Sequence, residues 1–199
     1  MYRKNWKRRV AKRLLALPIL ALFAPLAACS STPENPPVPV DAVELDRYLG
    51  QWFEIARLPN RFQDDCAGDV TATYDRAAAG RISVLNECRR ADGSMNAAEG
   101  LARIVPDSNN TRLEVSFFSI LGWRPIWGDY WVLGLDPEYQ WAIVGEPSRD
   151  YGWILAREPA LSDSERQRVD RILAEQGYDP ADFQTTEQSG ASQQAQERE

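Results

Sequence analysis

The chain has 199 residues, with 23 Lys and Arg, 29 Asp and Glu, and no His. Lack of histidine excludes Ser–His–Asp and Cys–His catalytic sets and His-ligated metal sites. The formal net charge of −6 argues against nucleic acid as an electrostatic partner.

Residues 1–28 read as an export signal. Arg3, Lys4, Lys7, Arg8, Arg9, Lys12 and Arg13 form a basic start, and Leu14–Leu26 is apolar but interrupted by Pro18 and Pro25. That run is too short for a membrane-spanning helix. It ends Leu26-Ala27-Ala28-Cys29, which resembles the lipobox of bacterial lipoproteins. Cys29 is then the expected site of acylation, and Ser30 after it implies sorting to the outer membrane. An ordinary signal peptide with a chance cysteine is the alternative. The Arg8-Arg9 pair leaves twin-arginine export open. Removal of 1–28 takes away seven basic residues and no acid, leaving 16 basic residues, all Arg, against 29 acids, net −13. A body so acidic needs acyl chains rather than charge to reach a membrane, with more than one chain for stable attachment.

Residues 29–44 read as the lipidated cysteine and a Pro-rich tether with Pro33, Pro36, Pro37 and Pro39, favouring extended polyproline II. Residues 189–199 read as a polar, disordered tail. The domain between them, 45–188, is mostly strands. Trp52–Leu58, Val70–Tyr74, Arg81–Cys88, Asn96–Val105, Arg112–Phe118, Asp129–Leu135, Tyr139–Val144 and Tyr151–Arg157 are separated by turn residues. Eight sequential strands predict an all-β fold, an antiparallel up-and-down barrel whose closure removes exposed edges. A sandwich is the alternative. Ser162-Asp163-Ser164-Glu165 fits a capping box and opens one C-terminal helix, packed outside the barrel and stopped at Gly177. Ala181–Thr186 is a candidate for a short final strand.

In such a barrel the start of the first strand and the end of the eighth are neighbours. Gly50 permits an unusual φ ahead of Trp52, and Arg157 is placed to stack on its indole. The blocks Gly50-Gln51-Trp52-Phe53-Glu54-Ile55-Ala56-Arg57, Thr71-Ala72-Thr73-Tyr74, Leu113–Phe118, Leu135-Asp136-Pro137-Glu138-Tyr139 and Asp150–Arg157 resemble the lipocalin family, and within it the bacterial outer-membrane lipocalins. The second family motif departs, having Leu135-Asp136-Pro137-Glu138-Tyr139 in place of the usual Thr-Asp-Tyr. The resemblance implies a calyx closed at the Trp52/Arg157 end and holding a fatty acid or lysophospholipid, with no cofactor. Homodimerisation is left open.

Alternation along each strand puts Glu54 and Ala56 inside from the first strand, Val70, Ala72 and Tyr74 from the second, and Val84 and Asn86 from the third. Gly100, Ala102, Val115, Phe117, Tyr130, Val132, Trp153 and Leu155 follow; Trp141 is ambiguous. The expected ligand contacts are Glu54, Tyr74, Val84, Asn86, Phe117, Tyr130 and Trp153. A filled core without a cavity is the alternative. Glu54 is either a headgroup contact or a structural anchor tied to an interior Arg or Tyr hydroxyl, since a buried carboxylate needs partners. The loop Ser119–Trp127 falls at the open rim. Cys66 and Cys88 remain once Cys29 is acylated, and the topology brings both to that rim, predicting a disulfide; two free buried thiols are the alternative. The competing function classes are a scaffold lipoprotein and an enzyme using a cavity thiol.

Overall fold

The computed structural model describes residues 35–190. Cys29, the signal segment and residues 191–199 lie outside them. Eight antiparallel strands follow one another: β1 (Gly50–Arg57), β2 (Gly68–Arg76), β3 (Ile82–Arg89), β4 (Met95–Ile104), β5 (Arg112–Ser116), β6 (Gly128–Leu135), β7 (Trp141–Gly145) and β8 (Gly152–Ala156). Each pairs with the next, and β1 pairs with both β8 and β2, so the sheet closes on itself as the alternating sequence predicts. Counting from Gly50, the loops after β1, β3, β5 and β7 share one end, the open rim. The loops after β2, β4 and β6 share the closed end.

The helix α2 (Asp163–Glu175) opens on the capping box: Ser162 Oγ accepts from Glu165 N, and the Glu165 carboxylate accepts from Ser162 N. Its apolar stripe buries Val169 and Leu173 completely, against Ile55, Ala56, Trp141, Ile143 and Ile154 on the outside of the wall. Each such side chain contributes about 1.5–3 kcal/mol. This covering helix explains why β7 shows no alternation. All five of its residues are buried, with Ala142 and Val144 inside the barrel and Trp141 outside, under the helix.

Four features depart from the strand-by-strand reading. First, the β1–β8 register shifts between Glu54 and Ala56, a bulge that resets the alternation. Trp52 and Glu54 face inward as expected. Ala56 turns outward into the helix-side cluster, and Arg57, expected outside, returns to the inner face beside Glu54. Second, the tether is shorter than residues 29–44. From the buried Pro37 onward the chain packs on the barrel, with Val40 N donating to Val132 O at 2.9 Å and Val43 N to Asn109 O at 3.0 Å. Third, a one-turn helix, α1 (Leu45–Tyr48), precedes β1 and buries Tyr48 beneath the barrel. Fourth, the C-terminal segment, expected to add a short final strand within Ala181–Thr186, does so and carries on into the wall beyond it. β1 and β2 pair only over Gly50–Phe53 and Thr71–Tyr74, then diverge. The short strand β9 (Gln184–Thr185) pairs with Ala56 and Arg57. Beyond it, Gln188 Nε2 donates to both Glu54 O (2.8 Å) and Val70 O (2.9 Å), filling the gap. Ser189, assigned to a free tail by composition, donates from its N to Asp69 Oδ1 at 2.6 Å.

Candidate functional site

The closed end is built around one arginine. Arg157 Cζ lies 3.8 Å from the centre of the Trp52 ring. Its Nη2 donates to Arg47 O (2.7 Å), Tyr48 O (3.1 Å) and Leu49 O (2.9 Å), and its Nη1 to Gln51 O (2.6 Å). Trp52 Nε1 donates to Tyr48 O at 2.8 Å. Gly50 sits between them at φ +92°, a conformation few other residues adopt. Arg157 thereby ties α1 and the start of β1 across the bottom of the barrel.

Above this lies a floor of tyrosines. Tyr48 Oη is 2.7 Å from Tyr130 Oη, and Tyr130 Oη donates to Tyr74 Oη at 3.0 Å. The chain satisfies three buried hydroxyls inside an otherwise apolar shell of Ile82, Val84, Ala102, Leu113 and Val132. Burial pushes the Tyr74 phenol up to about 12, and Tyr48 and Tyr130 higher still. An apolar void of about 10 Å³ remains there, too small for a lipid. Glu54, Tyr74, Val84 and Tyr130, four of the expected ligand contacts, all face inward but are covered by protein.

The upper half differs. Asn86 and Ala98 are register partners facing the interior above Val84 and Gly100. Ala98 is nevertheless exposed, and Asn86 and Trp153 are partly so. Above Leu101, β4 has no ladder partner on its β5 side, so Ala98 lies where the barrel opens towards the rim. The wall there is lined by small residues, Ala72, Ala98 and Gly100. The Phe117 ring lies over Gly100, where an added methyl would come within 2.6 Å of Cε1. Trp153 stacks on Tyr151 (centroids 6.1 Å apart, planes at 9°), and Tyr151 meets Phe62 at 5.5 Å, so an aromatic series climbs to the mouth.

One polar cluster borders this space. Glu54 Oε1 accepts from Arg57 Nη1 at 3.0 Å and from Thr186 Oγ1 at 2.5 Å, and Oε2 accepts from Gln63 Nε2 at 2.7 Å. Gln63 Oε1 in turn accepts from Trp153 Nε1 at 3.1 Å. The carboxylate is therefore anchored by an interior arginine. Arg57, Gln63 and Thr186 were not among the expected site residues. The signal for Arg57 was the need of an inward Glu54 for a cation, but alternation alone puts residue 57 on the wrong face. Gln63 belongs to a short 3₁₀ turn, Arg61–Gln63, capped by Asn60. The disulfide Cys66–Cys88, with Cα atoms 5.6 Å apart, joins the loop carrying that turn to the end of β3. Neither thiol is free for cavity chemistry.

A closed antiparallel barrel with a packed floor, an open upper half and a cross-linked rim is a calyx, the architecture of a small-molecule binding barrel. The chain belongs to the lipocalin family: a lipocalin-like domain matches residues 43–188. It is 39% identical to temperature-induced lipocalin-1 of Arabidopsis thaliana, over 75% of this chain and 82% of that protein. It is 38% identical to the outer membrane lipoprotein Blc of Escherichia coli K12, over 90% and 99%. Apolipoprotein D of Rattus norvegicus is 33% identical over 86% and 95%. Among solved structures, insecticyanin from the tobacco hornworm Manduca sexta superposes with a TM-score of 0.64 over 80% of this chain and 87% of its own, at 24% identity, a likeness of fold.

Proposed function

We propose that this protein binds single-chain lipids, fatty acids or lysophospholipids, in the upper half of its barrel without turning them over, and that acyl chains on Cys29 hold it at the outer membrane, facing the periplasm, for envelope lipid storage or transport. The observation that carries the reading is the contrast between a packed tyrosine floor and an inward-facing yet exposed Ala98. A cavity walled by Ala72, Ala98, Gly100, Phe117 and Trp153 suits a flexible acyl chain, with apolar surface as the main source of affinity.

Two features of the rim support a membrane setting. Asn35 meets the rim, its O accepting from Arg149 Nη2 at 2.8 Å in the loop after β7. The loop after β5 presents Ile120, Leu121, Trp123 and Ile126 to solvent on the same rim, an apolar patch that marks an interaction surface. The names of two relatives, outer membrane lipoprotein and apolipoprotein, agree with a lipid-associated role.

The test is titration of delipidated protein with palmitate and lysophosphatidylcholine, followed by tryptophan emission. Saturable one-to-one binding with no change in the ligand is expected. Ala98→Phe should weaken it at least about tenfold while leaving the melting temperature unchanged, because the new ring occupies open space rather than packed core. Failure of every lipid to bind the parent would favour a scaffold role instead.

A further inference from the structure

The polar cluster leaves one edge of Arg57 unused. A guanidinium offers five N–H donors in a rigid plane. Here Nη1 is taken by Glu54 Oε1 at 3.0 Å and Thr186 Oγ1 at 3.2 Å. Among the described residues Nε is buried without any acceptor. Nη2 makes no hydrogen bond to them either, and the side chain keeps 14% exposure. Nε–H and one Nη–H share the side edge of the group, the pair of parallel donors that fits two oxygens of one carboxylate or phosphate. A buried charged N–H without an acceptor is disfavoured unless something from outside completes it.

We propose that the Nε–Nη2 edge of Arg57 is the headgroup site of the calyx, accepting the oxyanion of a single-chain amphiphile whose tail lies against the small-residue wall. The proposal rests on the lipid-binding reading above and adds where the polar end sits. Arg57 ends β1, level with Trp153, so the oxyanion stops near the mouth and any larger headgroup projects through it, while the tail points down towards the tyrosine floor. Glu54 does not compete for this edge. Its two oxygens are occupied by Arg57 Nη1, Thr186 and Gln63, and it serves to lock the guanidinium plane. Asn86, across the interior on β3, also has a buried Oδ1 without a partner. Its amide can present either a donor or an acceptor to a ligand. Long-range repulsion from the acidic body decays within about 8 Å at physiological salt, leaving short-range geometry to decide.

Carboxylate and phosphate share this chemistry, and three probes separate them: palmitate, palmitoyl lysophosphatidylcholine and the neutral hexadecanol, each titrated into the delipidated full chain. The parent should bind one or both of the oxyanion-bearing lipids, palmitate and the zwitterionic lysolipid, about 10- to 100-fold tighter than hexadecanol, the range expected of charge-assisted hydrogen bonds. Arg57→Gln should erase that preference and leave hexadecanol affinity within about twofold. Because a lone Arg57→Gln leaves Glu54 buried without its cation, the double variant Glu54→Gln/Arg57→Gln is measured beside it, with the same expectation. Loss for palmitate alone assigns a carboxylate site, and loss for the lysolipid alone a phosphate site; either supports the proposal. Equal affinity of the parent for all three lipids would mean the edge is merely hydrated, and equal weakening of all three in both variants would mean that Arg57 is structural. Both results overturn the headgroup site while leaving lipid binding intact. No binding of any probe to the parent overturns both.

Discussion

Arg157→Ala removes a cation stacked 3.8 Å from the Trp52 ring centre and four N–H···O contacts to Arg47, Tyr48, Leu49 and Gln51 carbonyls. The stacking is worth about 0.5–2 kcal/mol, with a partly buried guanidinium in the upper part of that range. The carbonyls are unequal. Tyr48 O still accepts from Trp52 Nε1, and those nearest the surface can turn to water. Leaving one buried carbonyl unpaired costs about 1–3 kcal/mol. Together these give about 2–4 kcal/mol, or roughly 5–12 °C in the thermal midpoint of a domain this size. Differential scanning calorimetry of parent, Arg157→Ala and Arg157→Lys measures it. Lysine keeps the charge but presents no planar fork, so it should recover less than half of the loss. The headgroup edge lies at the other end of β1, so palmitate affinity at 25 °C should stay within about twofold. A midpoint for Arg157→Ala within 1–2 °C of the parent, on the same scale, would refute the account of the closed end.

Alkaline titration probes the floor. Burial raises the pKa of Tyr48, Tyr74 and Tyr130 above the unfolded value near 10, so stability is fully present below about pH 10 and is lost as pH rises through the folded values, about 12 for Tyr74. Each tyrosine adds about 1.4 kcal/mol per pH unit to that fall; burial also raises Tyr178, to about 12, so Tyr74→Phe should make the slope of urea-derived stability against pH shallower by about a quarter. Reduction of Cys66–Cys88, which closes a 22-residue separation, should lower stability by about 3 kcal/mol in the chain-entropy account; hydrogen exchange should then quicken in residues 58–67 before it does in β6 or β7. Cys29→Ala should abolish acylation and release the protein from the outer-membrane fraction, and a variant still processed and membrane-bound would refute the anchor.

Strands, helix cap and disulfide were readable because each leaves a short-range or topological trace. Period-2 alternation marks β2, β3 and β4, Ser162 and Glu165 spell a reciprocal cap, and strand counting alone carries Cys66 and Cys88 to one rim. The same counting carries Arg157 to Trp52. The reading of the site was less complete. Alternation puts Glu54 inside, either as a headgroup contact or tied to an interior Arg or Tyr hydroxyl, and does not say which. Arg57 changes face through one extra residue at Ile55–Ala56, a bulge that turns both side chains into the apolar cluster under the helix α2. Nothing in Glu54-Ile55-Ala56-Arg57 itself marks the slip.

The amino-acid sequence alone determined the family, the barrel and its closed end, since these follow from local periodicity and from motifs spaced along one chain. Tertiary structure decided how the interior is divided. Three tyrosine hydroxyls from α1, β2 and β6 meet in one hydrogen-bonded chain and fill the lower half. Residues 184–189, polar and unremarkable in composition, complete the wall because β1 and β2 diverge and leave backbone carbonyls that Gln188 satisfies. Both outcomes depend on groups more than 50 residues apart in sequence. Patterns within one element report which face a side chain takes, but only the assembled barrel fixes which buried groups find partners and which, like the Nε of Arg57, find none among the described residues.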